Sequence, residues 1–283
     1  MKKIIRAGLD VLYPRRCPVC DGLLGKREPL ICRKCAEKLE FLKQPLCFRC
    51  GKPLEQKERE YCGDCRKIRH WYERGFAPFS YRGIMQQSVM RFKYGGRAEY
   101  AGFYAAAVLE YGRELLSRWR PEVLMPVPVH PARLARRGYN QAELLAQKLS
   151  ELCGIPMESR AVLRMKNTKA QKNLSSMERK KNLENAFALV KSYKPPERIL
   201  VIDDIYTTGS TIDGMAALLS KNGAKAVYFA CITVSPGDSF SKFLCNPPEV
   251  WYNRREREGK PVECRRNAAS RGIAEKRSSV YDR

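Results

Sequence analysis

Residues 199–211 read ILVIDDIYTTGST, and this stretch is the most informative of the chain. Its first four residues predict a buried strand that delivers Asp203 and Asp204 at its carboxyl end, where open α/β sheets place their ligands. Carboxylates there can accept hydrogen bonds from the vicinal hydroxyls of a ribose. The turn that follows opens a helix, so its N–H groups and hydroxyls converge on one phosphate. The residues of this turn are Thr207, Thr208, Gly209, Ser210 and Thr211. The spacing predicts a sugar phosphate held at both ends.

The run resembles the signature with which type I phosphoribosyltransferases bind 5-phosphoribosyl 1-pyrophosphate (PRPP), and it matches at every position. The resemblance implies PRPP bound together with Mg²⁺, with Asp203 and Asp204 as catalytic residues. Two alternatives stay open. The acidic pair could belong to another magnesium-dependent α/β protein, or the domain could bind PRPP as a sensor without catalysing its reaction.

A basic segment at 128–140 lies between a predicted strand, 123–129, and a predicted helix that begins near Asn140. We expect it to form a loop in which His130, Arg133 and Arg137 hold pyrophosphate, the leaving group. Arginine suits this task because its planar fork bonds phosphate oxygens in pairs. The alternative is that these arginines form an ordinary solvated surface.

A second polar stretch, 164–181, is rich in Lys and Arg and too long for an ordinary turn. It predicts a mobile loop that closes over the substrate and excludes water. Arg164 and Lys166 are its candidate catalytic residues. Further polar candidates are Thr168, Gln171, Arg179 and Asn182.

The remaining segments predict the elements of an α/β domain. Predicted strands span 76–81, 123–129, 199–202 and 226–234, and predicted helices span 84–92, 98–119, 140–153 and 210–222. Strand, turn, helix and strand in succession imply parallel strands joined by a right-handed crossover. The predicted fold class is therefore α/β, a type I phosphoribosyltransferase-like parallel sheet flanked by helices, with a zinc-binding module before it.

That module is predicted from four Cys-x-x-Cys pairs, each of which presents two thiolates on one knuckle. The pairs are Cys17/Cys20, Cys32/Cys35, Cys47/Cys50 and Cys62/Cys65. Eight thiolates make two tetrahedral Zn²⁺ sites with a structural role, whereas a thioredoxin-like redox function needs a single pair in a βαβ context. Both consecutive and cross-braced pairing are possible. We favour consecutive pairing because Pro45 separates the two halves.

Taken together, these segments resemble the ComF family, of the ComFC type, in which a double zinc ribbon precedes a phosphoribosyltransferase domain. The residues that carry the resemblance are the cysteine pairs, Lys93-Tyr94-Gly-Gly-Arg97, Pro126-Val-Pro-Val-His130-Pro, Arg137-Gly-Tyr-Asn140-Gln141-Ala, 164–182 and the signature. The resemblance adds Lys93 to the PRPP site. It also implies a cytoplasmic role in DNA uptake with DNA-uptake machinery proteins as partners, binding of single-stranded DNA, and transfer to an acceptor that is not settled.

The formal net charge of +24 points to an anionic partner but does not identify it. Tyr61, Trp71, Tyr72 and Tyr94 could stack on bases if the protein is a DNA-binding adaptor, although such aromatic residues more commonly lie in cores or joints. His70 is expected at the joint between the zinc module and the sheet.

No apolar window approaches the roughly 18 to 20 residues that span a bilayer, and the basic start at residues 1–12 does not read as a signal peptide. We therefore expect a soluble, cytoplasmic protein. The predicted units are a short amphipathic helix at 1–12, the double zinc ribbon at 13–70, the phosphoribosyltransferase domain at 71–236 and a basic, disordered tail at 237–283. The helix could lie on a membrane surface, but packing against the zinc module is favoured.

Overall fold

A five-stranded sheet and the helices around it form the larger part of the described structure. The computed structural model describes residues 14–25, 27–165, 186–235 and the backbone of 244–245. The amino-terminal elements are α1 (Arg33–Lys38), β1 (Phe41–Leu42) and α2 (Gly63–Lys67). Then follow β2 (Arg74–Phe76), β3 (Phe79–Ser80), α3 (Gly83–Tyr94), a 3₁₀ turn (Ala98–Tyr100), α4 (Ala101–Trp119), β4 (Val123–Pro126), α5 (Pro131–Arg137) and α6 (Gln141–Cys153). The last elements are β5 (Val162–Arg164), β6 (Phe187–Leu189), β7 (Arg198–Tyr206), α7 (Ser210–Lys221), β8 (Ala226–Val234) and β9 (Leu244–Cys245).

The central sheet is parallel throughout, in the order β2-β8-β7-β4, and β3 pairs with the far end of β8. Both faces are covered, which explains the continuous apolar runs of β7 and β8. Leu200 and Ile202 pack on one face with α4 and α6, whereas Ile199 and Val201 pack on the other face with α7. The predicted fold class, a parallel sheet flanked by helices behind a zinc module, is confirmed.

Strand β7 is longer than predicted, which changes where the acidic pair lies. It continues to Tyr206 because β8 pairs with it as far as Val234, so both carboxylates belong to the strand itself. The neighbour on its other side, β4, ends at Pro126, opposite Ile202. Asp203 and Asp204 therefore lie where the sheet has lost one neighbouring strand. In place of the predicted strand 76–81, the structure has two short strands, β2 and β3.

The expected basic loop contains a helix, α5. Its local signals were present in the sequence: Pro131 occupies the first helical turn, and Gly138 ends the helix in the left-handed conformation at φ 80°. The ring nitrogen Nδ1 of His130 accepts from the Ala132 N–H and caps the helix. His130 and Arg133 are thus placed by a helix rather than by a loop.

The predicted mobile loop at 164–181 differs from the structure at its first residue, because Arg164 is the last residue of strand β5. This strand pairs antiparallel with β6, in the register Arg164 to Phe187. The other polar candidates of the stretch lie outside the described residues. They are Lys166, Thr168, Gln171, Arg179 and Asn182.

The zinc module shares its core with the sheet domain. Cys17, Val19 and Ile31 pack in the same buried cluster as α3 and α4, which supplies the apolar partner that this cysteine-rich segment lacks. Polar contacts cross the same boundary: the Ser88 hydroxyl donates to the Pro18 carbonyl over 2.5 Å, and the Tyr111 hydroxyl donates to the Leu42 carbonyl over 2.9 Å.

Within the predicted tail, the backbone of Leu244–Cys245 pairs antiparallel with Phe41–Leu42 of the zinc module. The predicted helix at 1–12 and the rest of the tail lie outside the described residues. In the part of the chain that the structure describes, no helix is both long enough and apolar enough to cross a membrane.

Candidate functional site

The acidic pair is joined to helix α3 by an ion pair. Lys93 Nζ lies 2.9 Å from Asp204 Oδ1, and both side chains are largely shielded from solvent. Asp203 Oδ1 accepts from the backbone N–H of Asp204 over 2.8 Å. The two carboxylates therefore have different environments, since Asp204 forms an ion pair with a lysine, whereas Asp203 accepts a hydrogen bond from a backbone N–H.

These environments shift the pKa values at the site. Burial and the neighbouring Asp204 carboxylate raise the pKa of Asp203 to about 7, although Lys93 and Arg164 act in the opposite direction. Burial alone would lower the pKa of Lys93, but the carboxylates of Asp204 and Asp203 raise it above its ordinary value. Near neutral pH, Lys93 is therefore charged while Asp203 is poised between its two forms.

The predicted phosphate turn follows β7 directly and opens α7. Thr207 and Thr208 are exposed, and the Thr208 and Ser210 hydroxyls lie 2.9 Å apart. Gly209 is the N-cap residue, at φ 79°, and no side chain caps the N–H groups of the helix. Amides and hydroxyls at the start of α7 are thus available to an anion.

Arginine side chains also lie near the acidic pair, since Arg164 interacts electrostatically with Asp203. Arg137 is held by two hydrogen bonds of 3.0 Å, from Nη1 to Gln141 Oε1 and from Nη2 to the Tyr94 hydroxyl. Arg164 Nη1 donates to the Pro128 carbonyl at 3.5 Å. Burial and the nearby positive charges of Arg133 and Arg137 lower the pKa of Arg164, whereas Asp203 raises it. These guanidinium groups repel one another, and an anion among them would relieve that repulsion.

Most of the predicted site residues are therefore placed around one end of the sheet, and Lys166 lies outside the described residues. Tyr94 and Gln141 orient Arg137, a role that was not predicted for either residue. Both belong to the quoted motifs, but only the fold shows which arginine they contact. Tyr72, a candidate for base stacking, is buried at 1% exposure and is excluded from that role.

The eight paired cysteines form two clusters, and consecutive pairing is confirmed. Within each cluster all four Sγ atoms lie within 4.8 Å of one another. The first cluster is Cys17, Cys20, Cys32 and Cys35, and the second is Cys47, Cys50, Cys62 and Cys65. Sγ–Sγ distances of 3.8 Å and 3.6 Å between knuckles fit four thiolates at Zn–S bonds of about 2.3 Å, which place sulfur atoms about 3.8 Å apart. Both are structural Zn²⁺ sites, because four thiolates leave no position for water or substrate.

Similar solved structures include two phosphoribosyltransferases. A purine phosphoribosyltransferase from Pyrococcus horikoshii has a TM-score of 0.30 at 19% identity, and the match covers 49% of this chain and 78% of that chain. A hypoxanthine phosphoribosyltransferase from Trypanosoma cruzi has a TM-score of 0.33 at 12% identity, and the match covers 56% of this chain and 92% of that chain.

Sequence relatives include "Competence protein F" of Haemophilus influenzae, 44% identical over 109 residues, which are 38% of this chain and 48% of that protein. "DNA utilization protein YhgH" of Escherichia coli K12 is 35% identical over 147 residues, 51% of this chain and 64% of that protein. "Competence protein ComFC" of Streptococcus pneumoniae is 32% identical over 155 residues, 53% of this chain and 64% of that protein. The chain thus spans about half to two thirds of each of these relatives.

A protein-family profile described as "Double zinc ribbon domain" matches residues 8–66, the segment that holds both cysteine clusters. The three sequence relatives match between 109 and 155 residues, and all are named as competence or DNA utilization proteins. The chain is therefore similar to these competence and DNA utilization proteins, and it carries a double zinc ribbon domain at residues 8–66.

Proposed function

We propose that this protein binds PRPP with Mg²⁺ and transfers its phosphoribosyl group to an acceptor. One observation carries the proposal: an acidic pair, an uncapped helix start and several guanidinium groups meet at one end of a parallel sheet. These are the three kinds of group that ribose hydroxyls, a 5′-phosphate and a pyrophosphate require.

Each group has a role in this proposal. Asp203 and Asp204 accept hydrogen bonds from the ribose hydroxyls, and Lys93 holds the Asp204 carboxylate in place through their ion pair. The turn holds the 5′-phosphate through Thr207, Thr208, Gly209, Ser210 and Thr211. Pyrophosphate is held from the opposite side by His130, Arg133, Arg137 and Arg164, with Lys166 as a further candidate.

The donor set at β7 suits Mg²⁺. Two adjacent carboxylates, one of them uncommitted to lysine, match an ion that commonly uses one or two carboxylates plus substrate phosphates and keeps several waters. Among the described residues, groups of three or more potential ligands occur only at the two cysteine clusters, so an all-protein Mg²⁺ cage is not built into them. When bound, the ion would neutralise charge on the pyrophosphate.

The proposed reaction is a displacement at the anomeric carbon of PRPP. The acceptor nucleophile forms a bond to this carbon, the bond to the pyrophosphate oxygen breaks, and pyrophosphate leaves with the electron pair. The acceptor gives up its proton to solvent or to a base. The protein's own contribution is positioning and stabilisation of the leaving group by Arg137 and Arg164.

The pH dependence of PRPP binding tests the site directly. Because the pKa of Asp203 lies at about 7, this residue is protonated below that pH and must lose its proton to accept two hydroxyl donors or face Mg²⁺. We expect the affinity for PRPP with Mg²⁺ to rise about tenfold between pH 6 and pH 7.5 and then level off. Isothermal titration at four or five pH values measures it.

The control is Asp203→Asn, which removes this ionisation while the ligand's own phosphates still titrate. The affinity of this variant for PRPP should be weaker and should hardly change with pH, once the titration of the ligand's phosphates is taken into account. Parallel pH profiles for the wild type and the variant would contradict the role of Asp203 in PRPP binding. Release of pyrophosphate from PRPP in a bacterial metabolite extract then separates transfer from sensing, because a sensor binds PRPP and releases none.

The relatives are named as competence and DNA utilization proteins, which supports a second part of the proposal, a role in DNA uptake. We propose that this role is cytoplasmic and that it involves contact with single-stranded DNA and uptake proteins. The structure adds a specific feature: three exposed aromatic rings each lie beside a cation. Phe48 lies 3.3 Å from the Arg74 guanidinium carbon, Trp71 lies 5.7 Å from Lys221 Nζ, and Tyr94 neighbours Arg137. Such pairs suit a strand with stacked bases and charged phosphates.

Binding of a single-stranded oligonucleotide should therefore weaken steeply with salt. For about five neutralised phosphates, the slope of log K against log salt is about −3.5. Trp71→Ala should lower the affinity several-fold, whereas Ile68→Ala, at a neighbouring exposed residue, should not. Fluorescence anisotropy measures both. A slope near zero would contradict DNA binding, and the proposed binding of PRPP would then be the only proposed function that remains.

A further inference from the structure

A pair of buried tyrosines lies between the second zinc ribbon and the phosphate turn. The Tyr72 and Tyr206 hydroxyl oxygens lie 2.7 Å apart, and both side chains are almost fully buried. Tyr206 ends β7 immediately before the turn, and its ring stacks on Phe229 with a centroid distance of 4.8 Å. Tyr72 belongs to the segment that leads from the ribbon into β2.

The turn itself is packed against the same hydroxyl. A Cβ atom placed on Gly209 would lie 2.5 Å from the Tyr206 hydroxyl oxygen, so only glycine fits there. The Tyr206 side chain therefore packs directly against the backbone that is proposed to hold the 5′-phosphate.

A second contact joins the same segment to the first turn of α7. Asp213 Oδ1 accepts from the Trp71 N–H over 2.7 Å, and Asp213 Oδ2 lies 3.2 Å from His70 Nδ1. The expectation that His70 lies at the joint between the two units agrees with this contact. Asp213 stands one helical turn beyond Gly209, to whose carbonyl its own N–H donates.

The ribbon end of this network is tied to the metal knuckles. Lys52 follows the Cys47–Cys50 knuckle and is buried, and its Nζ lies 2.8 Å from Asp64 Oδ2, inside the Cys62–Cys65 knuckle. The same ammonium group lies 5.7 Å from the centre of the Tyr206 ring. The backbone carbonyl of Arg49, within the first of these knuckles, accepts from the Gly75 N–H of β2 over 2.8 Å.

We propose that the second zinc ribbon positions the phosphate turn, so that zinc at this ribbon and a sugar phosphate at the turn favour each other's binding. Tyr72 and Asp213 are the positioning residues, and neither needs to touch the substrate. The inference rests on the proposed function, because it takes the turn as the site of a 5′-phosphate. Coupling of this kind is reciprocal, so it can be measured from either ligand.

The test uses the full chain with both zinc ions and ribose 5-phosphate as the probe. Competition against a chromogenic chelator gives the two zinc affinities, with and without saturating ribose 5-phosphate. We expect one of the two affinities to rise about fivefold or more and the other to stay unchanged. Tyr72→Phe keeps the ring but removes the hydroxyl contact, so it should abolish this effect and weaken ribose 5-phosphate binding about fivefold.

Tyr111→Phe is the matched control. It also removes one hydroxyl bond between the zinc module and the sheet domain, to Leu42, but it lies on α4, away from the turn. It should leave the coupling intact. Asp213→Ala should also reduce the coupling, and Asp213→Asn should restore part of it because the amide oxygen can still accept from Trp71.

Two negative outcomes are distinguishable. If the wild-type chain binds ribose 5-phosphate but both zinc affinities stay the same, the positioning role is overturned and the proposed PRPP site survives. If isothermal titration detects no binding of ribose 5-phosphate or PRPP to the wild-type chain, the proposed function is overturned, and this inference with it.

Discussion

Asp204→Asn is expected to lower the affinity for PRPP with Mg²⁺ by about 100-fold, equivalent to about 2.7 kcal/mol. The substitution removes a carboxylate proposed to accept ribose hydroxyls and leaves Lys93 without its partner at 2.9 Å. The expected loss lies within the about 2–5 kcal/mol that is commonly lost when one partner of a buried, hydrogen-bonded contact between protein and ligand is removed. Isothermal titration against PRPP with Mg²⁺ measures the change.

Glu122→Gln is the control for this experiment. It removes an ion pair at the start of β7, the end of the strand far from Asp204. There Glu122 Oε1 lies 2.5 Å from Arg198 Nη2. PRPP affinity should be unchanged there, and circular dichroism should show both variants folded. Wild-type affinity in Asp204→Asn would mean that the ribose contacts have been assigned to the wrong residues.

Cys47→Ser is expected to remove one of the two zinc ions and to unfold the second ribbon. Serine supplies a poor zinc ligand in place of a buried thiolate, and small ribbons of this kind owe their folding to the metal. Loss of about 4 kcal/mol lowers the melting temperature by about 10 °C in a domain of this size. Solubility should fall as well, because unfolding of the ribbon exposes the buried side chains of Leu54 and Tyr72 to solvent.

Cys153→Ser is the matched control, since Cys153 is a half-buried thiol in α6 outside both clusters. Inductively coupled plasma mass spectrometry should find about two zinc ions per chain in the wild type and in this control, but about one in Cys47→Ser. Two zinc ions in Cys47→Ser would contradict the ligand set of the second cluster.

Prediction from the sequence was most accurate where structure depends on neighbouring residues. Helix α6 begins after Asn140 and ends before Gly154, because the Asn140 side chain caps it and glycine adopts the left-handed conformation at φ 75°. Helix α5 had equally local signals, but its basic composition suggested a loop instead. The length of β7 could not be predicted from its apolar run, since pairing with β8 carries it past the acids.

The sequence by itself determined the cysteine knuckles and the order of strand, turn and helix at 199–211, because turn chemistry and hydrophobic periodicity act over a few residues. Only the tertiary structure decided that Lys93 neutralises Asp204, that Tyr72 is buried against Tyr206, and that Asp213 faces His70. These pairs are far apart in the chain, and the packing of helices and zinc ribbon on the sheet brings them together. No local pattern encodes such contacts, which arise only when separate segments bury their apolar faces against one another.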